Sequence, residues 1–205
     1  MPADTRDKLL DIALTLFAER GFDGVSIAGI AAELGLSKQA LLHHFATKEQ
    51  LYAELLARIS NDFERRVAEL DDGNGDDESI GRLFVELAAD SLEHRRQTTL
   101  LMRELLDNRE RAERAGRWYL RQFVDLLVDR IHRLPSWQHG SREQAAAAAY
   151  QLLGAVNYFA VSGSTLRGMW GEEHYDAMHC AFAGQLHRTV LATLRAGPAL
   201  APGGD

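Results

Sequence analysis

Apolar positions at the start of the chain fall at helical spacing. Leu9, Ala13, Leu16 and Phe17 recur at intervals of four, three and one, which puts them on one face of a helix. Thr5 or Asp4 can cap its start, and Gly21 stands just past its end, where glycine is favoured. Ile27, Ile30, Ala31 and Leu34 repeat the pattern over a shorter stretch between Ser26, a cap residue, and Gly35, a stop. Ser37 caps a third segment from Lys38 to about His44, with Leu41 inward and Phe45 closing it. A longer fourth helix is predicted from Thr47 through Leu51, Leu55 and Ile59 to about Leu70.

Residues 71–79, DDGNGDDES, hold no apolar side chain and read as a solvated loop. Beyond them helices are predicted near 79–94, 97–107, 110–134, 143–166 and 173–196, with a break at Pro135 and a cap at Ser141. The closing GPALAPGGD has no periodicity and reads as a frayed tail. No segment alternates as a half-buried strand would, and no repeat at solenoid spacing is visible.

Two short helices joined by Glu33-Leu34-Gly35-Leu36-Ser37 suit a helix-turn-helix, about 26–45, whose second helix enters the DNA major groove. Gly35 can take positive φ without a Cβ clash, and Leu36 can fill the angle between the helices. The N-terminus of the third helix points free N–H groups outward, a favourable place for a phosphate. The fold class is therefore expected to be all-α: a three-helix DNA-binding domain over 1–62, then a larger helical domain over 63–205.

Charge at first argues against this. The net charge is −7, which argues against a protein that coats nucleic acid non-specifically. Residues 1–62 carry six Lys and Arg against nine Asp and Glu. Yet no carboxylate lies between Leu34 and Lys48, where Lys38 and Lys48 bracket His43 and His44. Screening over about 8 Å at about 0.15 M salt lets such a face be locally positive.

The remaining composition is ordinary. Hydrophobic residues make up 46% and charged residues 26%, enough for a core and a soluble surface. No window holds the roughly 18 uninterrupted apolar residues of a membrane span. The start, MPADTRDKLLDIA, has none of the parts of a secretory signal. Cys180 is the only cysteine, so no internal disulfide can form and a reducing cytoplasm is the expected location.

Three stretches, LLDIALTLFAERGFDGVSI, IAAELGLSKQALLHHF and TKEQL, together closely resemble the DNA-binding domain of TetR-family transcriptional regulators from Arg6 to about Asp62. The remainder resembles that family in length and helical character. The resemblance implies a sequence-specific repressor that binds a double-stranded, palindromic operator as a homodimer and is released by a small-molecule effector, without metal or other cofactor.

It also implies roles for single residues. Ser26 would cap the second helix and offer its hydroxyl or amide to a phosphate. Ala28 stands where relatives often carry a longer polar side chain, and can give only a small apolar contact. Ser37 and Ala40 flank Lys38 and Gln39 in the first turn of the reading helix. Lysine there can reach guanine or a phosphate, and glutamine can pair with adenine. Leu42 replaces a common tyrosine and could touch a thymine methyl or pack inward. His43 would face the groove. His44 would donate to a phosphate or serve structurally. Lys48 resembles the family's phosphate-binding lysine.

In the larger domain the last two helices are the candidates for a twofold interface, through Leu152, Val156, Gly163, Leu186, Val190 and Leu194. Ala145 to Ala149, Gly154, Ala155 and Gly184 would permit close approach there; ordinary packing within one chain is the alternative. Met102, Trp118, Tyr119, Phe123, Tyr158, Phe159 and Trp170 are the candidates to line an effector cavity. Arg95, Arg96 and Arg103 could pair with an anionic effector, although a solvated face is the commoner role.

Two other classes compete with this reading. An enzyme is disfavoured, because no G-x-S-x-G, P-loop, H-E-x-x-H or paired-cysteine zinc pattern occurs. His174, Asp176, His179 and Cys180 do not share one helical face, which disfavours a metal site. A helical ligand-binding or interaction module with weak or lost DNA binding stays open through Ala28 and Leu42.

Overall fold

The structure, a computed structural model, describes residues 5–69, 76–88, 92–107 and 120–199. These form helices α1 (Thr5–Arg20), α2 (Ile27–Glu33), α3 (Lys38–His44), α4 (Lys48–Glu69), α5 (Asp77–Leu87), α6 (Leu92–Asp107), α7 (Arg121–His132), α8 (Arg142–Trp170) and α9 (Glu172–Ala196), with a 3-10 turn at Pro135–Trp137. No described residue lies in a strand. No helix among the described residues is long and apolar enough to cross a membrane.

The described residues divide into two compact units, and the division is not a single cut in the sequence. The first, the head, holds residues 5–61 together with 95–107 of α6; the second, the body, holds the rest. Helices α4 and α6 each contribute residues to both.

The head is built around Leu9, Ala13, Phe17, Ile30, Ala31, Leu41, Phe45, Leu51 and Leu55, all fully buried. Phe17, Phe22 and Tyr52 meet ring to ring, with centroids 4.9 to 5.8 Å apart. From α6, Arg103 donates through Nε to the Ala18 carbonyl at 3.0 Å and through its terminal nitrogen to Glu19 at 3.2 Å. These carbonyls have no partner further along α1, so the guanidinium caps that helix. Glu104, the next residue, accepts from the Tyr52 hydroxyl at 2.6 Å.

In the body, α5 packs on α9, α7 on α8, and α8 on α9. Gly81 lets α5 and α9 approach closely: a Cβ there would stand 3.0 Å from the His187 ring and 3.2 Å from Leu191. Arg195 near the end of α9 pairs with Asp77 and Glu78 at the start of α5. Ser136 and Trp137 of the 3-10 turn both donate to the Leu194 carbonyl, at 2.7 and 2.9 Å.

Several boundaries differ from the periodic reading. Helix α5 starts at Asp77, because Asp76 Oδ1 accepts from Ser79 N at 2.8 Å and caps it there, and it ends at Leu87, short of the predicted 94. Helix α6 begins at Leu92, so Arg95 and Arg96 lie inside a helix where a break is predicted. Arginine is a good helix former, and charge alone stops nothing. The predicted start of the next helix near 110 lies outside the described residues, and its end falls at His132. Leu134, held extended (φ −62°, ψ 142°) as a residue before proline is, separates it from the 3-10 turn. Helix α8 runs to Trp170, past the predicted 166, because Gly168 is tolerated in open space and the first left-handed residue is Gly171 at φ +85°.

Candidate nucleic-acid interface

The candidate surface is assembled by three connections in the head. The first joins α1 to α2. Gly21, at φ +70°, ends α1 with its N–H on the Phe17 carbonyl at 2.9 Å. Gly24 lies against the end of the same helix, where a Cβ would come within 2.3 Å of the Arg20 carbonyl. Ser26 then caps α2, its hydroxyl accepting from Gly29 N at 3.0 Å.

The second connection is the turn between α2 and α3. Leu36 N–H reaches the Ala31 carbonyl at 2.9 Å and Gly35 N–H the Ala32 carbonyl at 3.0 Å. With Gly35 at φ +66°, this is a full Schellman ending. Ser37 follows at once and caps α3 by accepting from Ala40 N at 3.1 Å. The third connection closes α3 at Phe45, whose N–H bonds Leu41 O at 2.9 Å. Thr47 Oγ1 accepts from Gln50 N at 3.1 Å, and Gln50 returns its Oε1 to Ala46 N at 3.0 Å.

Helix α3 is thereby held by one fully buried side chain, Leu41, and by Phe45 beyond its end. Lys38, Gln39 and His43 are exposed, as are Ser26, Ala28 and Ser37. Ala40, Leu42 and His44 are half-buried, so Leu42 neither packs fully inward nor stands free. The His43 and His44 rings lie edge to face with centroids 5.9 Å apart.

Lys48 is placed differently from the rest. Its Nζ donates to the Phe22 carbonyl at 2.9 Å and the Val25 carbonyl at 3.0 Å, and stands 4.1 Å from the Phe22 ring centroid. Arg6, which no sequence signal pointed to, is paired with Glu54 and lies 5.0 Å from the Phe45 ring centroid. Both cations are engaged within the head.

Residues 9–55 match the family model described as bacterial regulatory proteins, tetR family. Residues 9–55 of the head are a tetR-family domain. The repressor KstR2 of Mycolicibacterium smegmatis is 33% identical over 104 residues, 50% of each chain. The biofilm-operon negative regulator IcaR of Staphylococcus epidermidis is 34% identical over 58 residues, 28% of this chain and 31% of that one. The chain thus aligns with half or less of the length of these curated relatives. Among solved structures, the fatty acid degradation regulator FadR from Bacillus halodurans superposes with a TM-score of 0.69 at 17% identity, over 95% of this chain and 98% of that one. Salmonella enterica GusR does so at 0.65 and 24%, over 95% and 97%. At those identities the likeness is one of fold, and it extends past the tetR-family head to the body.

In the body, two expectations are corrected. Leu152, Val156, Gly163, Leu186, Val190 and Leu194 are buried within the chain itself, so they form its core and present no face to a partner. The outward stripe lies on the opposite side of α8, where Tyr150, Tyr158, Val161 and Met169 are exposed; Trp170, the last residue of the helix, is exposed at its end. Gly154 and Gly168 of α8 and Gly184 of α9 open onto free space. Tyr158 and Trp170, read as cavity lining, are therefore surface residues, 75% and 51% exposed. Phe123 is buried against Phe63, and Phe159 stacks on Phe182 at 3.7 Å with Tyr175 and His179 nearby. Met102 is half-buried, and Trp118 and Tyr119 lie outside the described residues.

Proposed function

We propose that the chain is a transcriptional regulator whose head reads a double-stranded operator through the exposed face of α3. One observation carries this reading: Leu41 anchors α3 from beneath while Lys38, Gln39 and His43 project from the same short helix. Ser26, Ser37 and the free N–H groups behind them stand where phosphates flank a reading helix. Ala28, Ala40 and Leu42 supply apolar contact, and His44 a further donor. Repression is the mode named for the relatives KstR2 and IcaR, and it is the mode proposed for this chain.

One head covers a short half-site, so the regulator acts as a homodimer. The stripe Tyr150, Tyr158, Val161 and Met169 supports this, since exposed apolar side chains so aligned mark an interaction surface. Two heads then meet half-sites one helical turn apart, about 34 Å, or a multiple of it. A small-molecule effector in the body would release the operator by favouring a conformation that binds DNA less well, and operator would weaken effector binding by the same factor. Helix α4, with residues in both units, is the element proposed to carry that coupling.

A duplex selected by the protein from a randomised pool tests the reading by gel shift against excess competitor DNA. Wild type should retain the selected duplex. Gln39→Ala should cost about 1–3 kcal/mol of discrimination at one base position, and Lys38→Ala should weaken all sequences more evenly. A wild-type protein that prefers no sequence defeats the reading.

A further inference from the structure

We infer that the two histidines closing α3 make DNA binding proton-linked: the head takes up protons at His43 and His44 as it meets a duplex, so affinity rises as pH falls. The inference rests on the DNA-binding reading above and deepens it. His43 is exposed four residues after Gln39, which puts the two about 40° apart around the helix axis. It therefore lies on the reading face. His44 is half-buried and stands about 100° further round. Their rings still meet edge to face, with centroids 5.9 Å apart. One local potential therefore acts on both.

The charges around the pair are few. Helix α3, KQALLHH, holds no carboxylate, and its other ionisable residue is Lys38. Helix α2, packed against α3, has one ionisable residue, Glu33, at the end leading into the turn before α3, whereas the histidines are in its last turn. Past Phe45, Lys48 donates to the Phe22 and Val25 carbonyls, and Glu49 is exposed in the first turn of α4. From α1, Arg6 pairs with Glu54 and stands 5.0 Å from the Phe45 ring centroid. Two imidazolium rings as close as His43 and His44 repel each other.

A duplex changes those surroundings. It brings about one phosphate charge for each 1.7 Å of its axis. A protonated imidazole offers two N–H donors and no acceptor, which suits phosphate oxygens and the O6 and N7 of guanine. Repulsion between the rings is then offset by the anions they both face. By linkage, a duplex that makes the pair hold protons more tightly is itself held more tightly by the protonated head. The gain is fully present at low pH, where the free head is already protonated. It is lost as pH rises through the titration of the complex, within about pH 5–8 for imidazole.

The test measures affinity for the duplex selected by wild type at fixed salt from about pH 6 to 8, with folding followed by circular dichroism. Wild type should lose about tenfold or more across that range, the effect of a tenfold change in proton affinity at one imidazole. His43→Gln and His44→Gln keep an N–H donor but do not titrate there. Each should lose part of the dependence, and the double variant nearly all of it. Calorimetry of wild type in buffers of different ionisation enthalpy should show net proton uptake on binding, and it needs no variant to fold. Affinity that is flat with pH, or no proton uptake near about pH 6.5, overturns the inference. A double variant that keeps the wild-type dependence also overturns it, because six of the eight histidines lie outside α3. If wild type selects no duplex at any pH, the DNA-binding reading fails and this inference falls with it. A duplex selected and then bound alike at every pH defeats this inference alone.

Discussion

The head and the body are both helical, but they are specified in different ways. In the head, helices of seven residues such as α2 and α3 are too short to be stable alone, and their ends carry the design. Ser26, Ser37 and Thr47 each accept a capping hydrogen bond, and Gly35 takes the positive φ that its turn requires. In the body, α8 and α9 run for 29 and 25 residues, and side-chain burial along their length does most of the work. The contrast teaches where information lies. Short elements are written in their turns, and long ones in which stripe faces the core.

The strongest test of that contrast is a core truncation in a short helix. Leu41→Ala removes the only fully buried side chain of α3 and should cost about 2–5 kcal/mol in denaturant unfolding, with operator binding lost alongside. Stability within a few tenths of wild type would mean that α3 is held by its caps alone. A long helix should respond otherwise at its outer stripe. Gly184 opens onto free space, so Gly184→Ala should raise the helix propensity of α9 by about 1 kcal/mol while its added methyl weakens self-association in sedimentation. Unchanged association would remove Gly184 from the dimer face.

The smallest effect concerns a cap in the body. Hydrogen bonds from the Ser79 backbone and side chain hold the Asp76 carboxyl below its ordinary range. A carboxyl depressed in the folded state adds stability above its unfolded pKa, and that increment disappears as pH falls through the lower folded value. Thermal melts should therefore show a slight extra loss for wild type in acid that Asp76→Asn, which caps without titrating, does not show. An equal loss in both would assign the acid sensitivity elsewhere.

Most of the head was legible in the sequence, because its signals are local. Capping serines, glycines at positive φ and the burial of Leu9, Ala13, Phe17, Ile30 and Leu41 follow from spacing and turn chemistry. Two features were not legible. The ties from Lys48 to Phe22 and Val25, and from Arg103 to Ala18 and Glu19, join residues far apart in sequence, and no periodicity records such pairs. In the body the pattern of α8 showed two apolar stripes, one through Leu152 and Val156 and one through Tyr158 and Val161. Spacing cannot say which stripe the chain buries for itself. Bulk does not decide it either, since Phe159 of α8 itself stacks on Phe182 of α9.

Gly171 alone separates α8 from α9. A hairpin joined by one residue has no slack, so axial slippage of one helix is handed whole to the other. Length at this corner also sets rotation, because each added residue would turn α9 by about 100° about its axis. The same glycine therefore decides both which side of α9 seals the core with Val190 and which side is left to meet the outside world.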